Sequence, residues 1–274
     1  DPRDLHLSIR RQRQMCIRDR YSMARYLLRQ GRGSILERVQ ATMQLLIEPA
    51  SKLVMIGDSI TDCQRARPIG EGLFGALGQG YVSLVNGLLQ ANYPQAAIRV
   101  VNMGTSGNTV RDLVSRWQAD VLDQRPDWLS IMIGINDVWR QFDSPLQPES
   151  HVQITEYEQS LQLLIAQTRP LVRGLILMTP YFIEPNRSDP MRMQMDAYGR
   201  VVQTLAAKHN AIIVNTQAAF DSVLEHVHPM TLAWDRVHPT LTGHIILAQA
   251  LLQSIGYSSA TQDELPTTIG MVSQ

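Results

Sequence analysis

The sequence predicts a three-layer α/β/α fold, a five-stranded parallel sheet with helices on both faces. Three observations carry that expectation. Five short apolar runs recur along the chain. The stretches between them place apolar residues at a helical period. Small or polar residues follow the runs directly, where an open parallel sheet binds its ligands.

Leu53–Ile56 is the first run, and its brevity and apolar character read as a buried strand ending at Gly57-Asp58. Ile98–Asn102, Trp128–Ile133, Gly174–Met178 and Ala211–Val214 read the same way, followed by Gly104, Gly134, Thr179-Pro180 and Asn215. Helices are expected over 81–91, 109–123, 153–167 and 191–208, each just before a strand, and from Leu241 to Ile255 at the end. In the last, Leu241, Ile245, Leu247, Ala248, Leu251 and Leu252 form one apolar face. Such alternation requires crossover connections and hence a parallel sheet.

Composition narrows the function classes. Hydrophobic residues make up 44% of the 274 and charged residues 18%, an ordinary globular balance rather than a disordered one. The formal net charge is zero, which argues against a nucleic-acid partner. No apolar run approaches the roughly 18 residues of a membrane span. Two cysteines, Cys16 and Cys63, make no disulfide framework and suit a reducing, cytoplasmic setting.

The charge is segregated. Residues 1–38 hold ten arginines against four acids, and the remainder carries the compensating negative excess. Residues 1–45 therefore read as an extension, 46–258 as the folded domain and 259–274 as a tail. The Arg-rich start has three readings: an organelle leader, a basic arm for an anionic partner, or a non-native segment. For the third, ATG TGT ATA AGA GAC would encode Met15 to Asp19 and resembles the end of a transposon adapter. Met23 and Met43 are then candidate starts, and residues 21–47 a candidate helix.

The residues after the strands assemble a chemistry. Ser59 stands directly after the first strand, and a serine hydroxyl attacks only when a base takes its proton. His238 is the candidate base, and Asp235, three residues earlier, the group that orients the imidazole. The backbone N–H groups of Ser59 and Gly107 and the side-chain amide of Asn136 are candidate donors to an oxyanion. Activity is expected to fall in acid, because only a neutral imidazole serves as the base.

Four segments, Gly57-Asp58-Ser59-Ile60, Ser106-Gly107-Asn108-Thr109, Gly134-Ile135-Asn136-Asp137 and Asp235-Arg236-Val237-His238-Pro239, resemble the four blocks of the SGNH, or GDSL-type, hydrolases, in order. Longer stretches, Gly57–Pro68, Met132–Arg140 and Ala233–Pro239, resemble the bacterial acetylxylan esterases of that superfamily. The resemblance spans about residues 50–258. It implies a flavodoxin-like fold, a Ser59–His238–Asp235 triad, and an oxyanion hole of Ser59, Gly107 and Asn136. It also implies acetylated xylo-oligosaccharides as substrate, with no cofactor or metal and no nucleic-acid or membrane partner. A homo-oligomer is left open.

Plainer roles compete at several positions. Asp62, Arg67, Trp139, Tyr181 and Trp234 are taken as substrate contacts; the indoles offer faces on which a sugar can stack. Phe182 is a further candidate to line the cleft. Asp58 and Asp137 read as structural, Asp58 as an anchor of the serine turn; a strand end is the plainer role that competes at Asn136-Asp137. Gly70-Glu71-Gly72-Leu73-Phe74-Gly75 fits a dinucleotide fingerprint literally, but it lies too far beyond the first strand and reads as a loop over the site. His226 and His228 beside Glu225 lack a third ligand at metal-site spacing and read as a helix end. Cys63 reads as a packed thiol without a helper. A lipid or thioester hydrolase is the alternative enzyme, and a non-catalytic carbohydrate-binding protein the alternative outside enzymes.

Overall fold

The computed structural model describes residues 45–258, which lie within one unit of the chain. The expectations for the Arg-rich extension up to residue 44 and for the whole C-terminal tail lie outside the described residues. Five strands form one parallel sheet: β1 (Lys52–Gly57), β2 (Arg99–Asn102), β3 (Trp128–Met132), β4 (Gly174–Met178) and β5 (Ile212–Val214). Their order is β2-β1-β3-β4-β5, with every neighbouring pair parallel. The chain reverses its direction across the sheet between β1 and β3, the switch point where such sheets bind ligands.

The expected helices form with small shifts of their ends: α2 (Tyr81–Asn92), α3 (Val110–Trp117), α5 (Ile154–Thr168), α6 (Pro190–Lys208) and α9 (Leu241–Ser254). Asp189 caps α6 by accepting from the Arg192 N–H, and Pro190 fills its first turn, where a missing N–H costs nothing. The helix expected over 109–123 changes character midway. After Trp117 it widens into a π turn at Gln118–Leu122, closed by Asp123 N–H on Gln118 O.

Four further helices were not anticipated: α1 (Ser59–Asp62) and α8 (Pro229–Leu232), of four residues each, and α4 (Ile135–Asp143) and α7 (Thr216–Leu224), of nine each. Asn136-Asp137 accordingly does not end a strand. Gly134, at a φ of +130° that disfavours side chains, stops β3, and α4 begins at the next residue.

Helices α2, α7 and α9 pack together on one face, and α3, α5 and α6 on the other. The central strands are sealed on both sides. Leu53 to Ile56 and Leu129 to Met132 are buried throughout, as are Leu175 to Met178. This two-sided burial explains why the strands read as apolar runs rather than alternating patterns.

Candidate active site

The C-terminal end of β1 sets the first group. Gly57 is hemmed in, since a Cβ there would meet Thr61 Oγ1 at 2.3 Å and the Met132 carbonyl at 2.4 Å. The chain then turns at Asp58, which is buried and accepts from the Ile60 N–H at 3.0 Å, anchoring the turn as expected. Ser59 opens α1. Cys63 closes it in a left-handed conformation, its N–H bonded to Ser59 O at 3.0 Å. Burial pushes the Asp58 carboxyl up to about 7.

The folded chain brings residues 179 positions apart into contact. The Ser59 hydroxyl lies 2.8 Å from His238 Nε2. His238 Nδ1 lies 2.6 Å from Asp235 Oδ2. A carboxylate only accepts, so Nδ1 carries the proton and Nε2 of the neutral ring accepts from Ser59. Asp235 Oδ1 also takes the backbone N–H groups of His238, at 2.7 Å, and Val237, at 2.9 Å. Partial burial raises the Asp235 pKa, but the bonds from His238 and these two N–H groups outweigh it and hold the carboxyl below its usual range. The Trp139 ring stands edge-on to His238, with centroids 5.8 Å apart, and carries the Arg140 guanidinium 5.0 Å from its centre.

The segment after β2 carries Gly107, the second of the expected oxyanion donors. Gly107 is exposed and holds a φ of +81°, a conformation suited to glycine. Hydrogen bonds tie the flanks of its loop. Thr105 N–H bonds Gly57 O at 3.0 Å, and Arg116 reaches Asn108 Oδ1 at 2.6 Å, Met103 O at 2.7 Å and Gly57 O at 2.9 Å. Asn136, at the start of α4, donates through Nδ2 to Asn108 O at 2.9 Å. The next residue, Asp137, accepts the Val110 N–H at 2.9 Å and so joins the starts of α3 and α4. Burial pushes its carboxyl up to about 7.

Four of the sequence expectations need correction. Tyr181 does not face a substrate cleft: it is buried against Phe220, and its hydroxyl donates to Val237 O at 3.1 Å, under the His238 loop. Phe182 is likewise buried, its N–H bonded to Gln217 Oε1. Asp62 is buried and fully engaged on one oxygen, so it is not open to a sugar. Cys63, read as without a helper, has His244 Nε2 at 3.6 Å from its sulfur. Tyr81 N–H occupies His244 Nδ1 at 3.2 Å, so the neutral ring presents Nε2–H to the sulfur and takes no proton from it. Burial raises the thiol pKa and lowers that of His244 to about 4, and neither shift favours a thiolate.

Other candidates fall where a cleft-lining role remains open. Trp234 is 80% exposed, next to Asp235 in sequence. Arg67 is half-exposed, with one nitrogen on Asp62. Leu73 and Phe74, on the loop expected over the site, both project into solvent. His228 caps α8, accepting the Met230 N–H through Nδ1. Among the described residues no group of three or more His, Cys, Asp or Glu side chains is arranged to hold a metal ion.

Sequence reasoning missed a clamp on the His238 loop. Ile183 N–H bonds Arg236 O at 2.9 Å, Arg236 pairs with Glu184, and the buried Arg192 bonds Glu184 O. Arg236 itself is held at a positive φ of 63°. No spacing rule links residues about 50 apart, so only the fold discloses these contacts.

A serine, histidine and aspartate in hydrogen-bonded series, at the switch point of an α/β/α sheet, define an acyl-transfer type of site. The chain belongs to the GDSL-like lipase/acylhydrolase family, whose pattern matches residues 55–246. It is 62% identical over 211 residues to an acetylxylan esterase of Geobacillus stearothermophilus, covering 77% of this chain and 96% of that protein. The crystal structure of that esterase superposes with a TM-score of 0.77 at 61% identity, over 78% of this chain and 97% of the other. Structures of its catalytic mutants, with alanine for a serine, an aspartate or a histidine, match equally well. An α/β hydrolase from the metagenome of Lake Arreo, Spain, matches with a TM-score of 0.77 at 54% identity, over 78% and 98% of the two chains.

Proposed function

We propose that this chain is a serine esterase that removes acetyl groups from acetylated xylo-oligosaccharides. The observation that carries the reading is the continuous hydrogen-bonded series from Ser59 through His238 to Asp235. The similarity to an acetylxylan esterase over nearly that protein's whole length supports the substrate class.

In this reading His238 Nε2 takes the Ser59 proton as Oγ attacks the acetyl carbonyl. Asp235 holds the ring in the tautomer that leaves Nε2 free and stabilises the imidazolium that forms. The N–H groups of Ser59 and Gly107 and the Asn136 amide receive the charge on the carbonyl oxygen. The imidazolium returns its proton to the departing sugar hydroxyl and leaves an acetyl-serine. Water, deprotonated by the same nitrogen, releases acetate and restores Ser59. Trp139 and Trp234 are proposed to stack against the sugar, and Arg67 to line its approach.

Acetate release from acetylated xylobiose by wild type and Ser59→Ala tests the proposal, with an aryl acetate and an aryl octanoate beside it. The expected result is release by wild type alone, with acetate strongly preferred over octanoate. Efficient octanoate cleavage with no release from the sugar would keep the nucleophile and move the substrate to lipids or thioesters.

A further inference from the structure

We infer that Asp62 and Arg67 form a positioning pair for the oxyanion donor at Gly107, an inference that rests on the esterase reading above. Asp62 is the last residue of the turn that Ser59 opens. Its Oδ2 accepts both the backbone N–H of Ser106, at 3.0 Å, and the Ser106 hydroxyl, at 2.7 Å. Two bonds to one residue fix both the backbone and the side chain of Ser106. The peptide that follows carries the Gly107 N–H, so its direction is set from the nucleophile's own helix. The contact leaves no slack. A Cβ on Gly104, at the base of the same loop, would stand 2.2 Å from Asp62 N.

The arrangement has a cost that Arg67 offsets. A buried carboxylate one residue from an oxyanion donor opposes the negative charge that the donor must stabilise. Arg67 Nη2 meets the same Oδ2 at 2.7 Å and neutralises it. The half-exposed guanidinium thus belongs to the electrostatics of the reaction, rather than solely to the sugar. The pair gives the nucleophile and the oxyanion donor one common mount.

The test uses the full chain with Asp62→Ala, Asp62→Asn, Ser106→Ala, Arg67→Ala and Arg67→Lys, on acetylated xylobiose and on an aryl acetate that lacks the sugar. For Asp62→Ala we expect kcat to fall about 100-fold on both substrates with KM within about threefold, the scale of losing one oxyanion donor. Affinity for an arylboronic acid, which mimics the tetrahedral state, should fall with kcat/KM. Arg67→Ala should lose about tenfold in kcat, and Arg67→Lys should regain most of it, since Lys keeps the charge. Should Asp62→Ala fail to fold, the surface change Ser106→Ala removes one of the two bonds and should still lower kcat several-fold. A rise in KM confined to the xylobiose, with aryl acetate kinetics unchanged, would overturn the inference and make the pair a sugar contact. Ser59→Ala is assayed alongside. If it is dead while Asp62→Asn and Ser106→Ala both keep wild-type kcat, the inference falls and the triad stands. If Ser59→Ala stays active, both fall.

Discussion

In the proposed mechanism, removing the Ser59 hydroxyl leaves His238 Nε2 with no proton to take. Ser59→Ala should lower kcat on an aryl acetate by about 10⁴-fold or more, with the fold intact by circular dichroism. Asp235→Asn tests the tautomer argument separately. The amide can turn its NH₂ toward Nδ1, which then accepts, and the ring proton moves to Nε2, where it blocks the Ser59 hydroxyl. A loss of about 10³–10⁴-fold in kcat is expected, and retention of wild-type activity would show that Asp235 does not set the ring. At this scale the sequence was most legible. Residue type, position after strands and resemblance picked out Ser59, Asp235 and His238, which the fold brings into one hydrogen-bonded series. Tyr181 and Asp62 were assigned the wrong neighbours, because an aromatic or an acid beside a site sends its side chain toward solvent or toward the core by packing alone.

Among the elements, the loop after β2 and the turn of α1 are pressed together at Gly104. Gly104→Ala adds one carbon with backbone atoms 2.2 to 2.7 Å away, and backbone cannot move aside as a flexible side chain can. The loop must lift from α1 and carry Gly107 with it. We expect kcat to drop by at least about 100-fold, comparable to losing an oxyanion donor, with a crystal structure showing the loop displaced. Wild-type kcat in that variant would show that the loop's seat is not critical. The long helices α2, α5, α6 and α9 were readable from their periods. The helices α1 and α4 were not, although they hold Ser59 and Asn136. α1 is a single turn of four residues, too short to show a period, and α4 begins only after the positive-φ Gly134 that follows β3.

For the molecule as a whole, three buried groups among the described residues, Asp58, Asp137 and His244, contribute to the pH dependence of stability near neutrality. Burial holds Asp58 and Asp137 up to about 7, against 3.8 for a free carboxyl. Between those values the folded chain keeps protons that the unfolded chain has released, so each group lowers stability as pH rises. His244 acts oppositely: burial lowers it to about 4 from 6.5, so it adds stability as pH rises between those values and offsets one of the carboxyls. Stability should therefore fall from pH 5 to pH 8. In Asp137→Asn one such titration is gone, and the difference between the two pH values should shrink by about 2–3 kcal/mol. Urea denaturation at each pH measures this, and an unchanged difference would show that Asp137 does not titrate in that window.

The sequence by itself determined the layered architecture, the five strands and the four blocks of the site. Two-sided burial writes strands as apolar runs, and amphipathic packing writes long helices as a 3.6-residue period. Only the tertiary structure decided how the blocks meet. The 2.8 Å contact between Ser59 and His238, the grip of Asp62 on Ser106, the tie from Asp137 to Val110 and the clamp beneath the His238 loop join residues 27 to 179 positions apart. Such contacts follow from strand order and register, and no local pattern of residues encodes a distance between two loops.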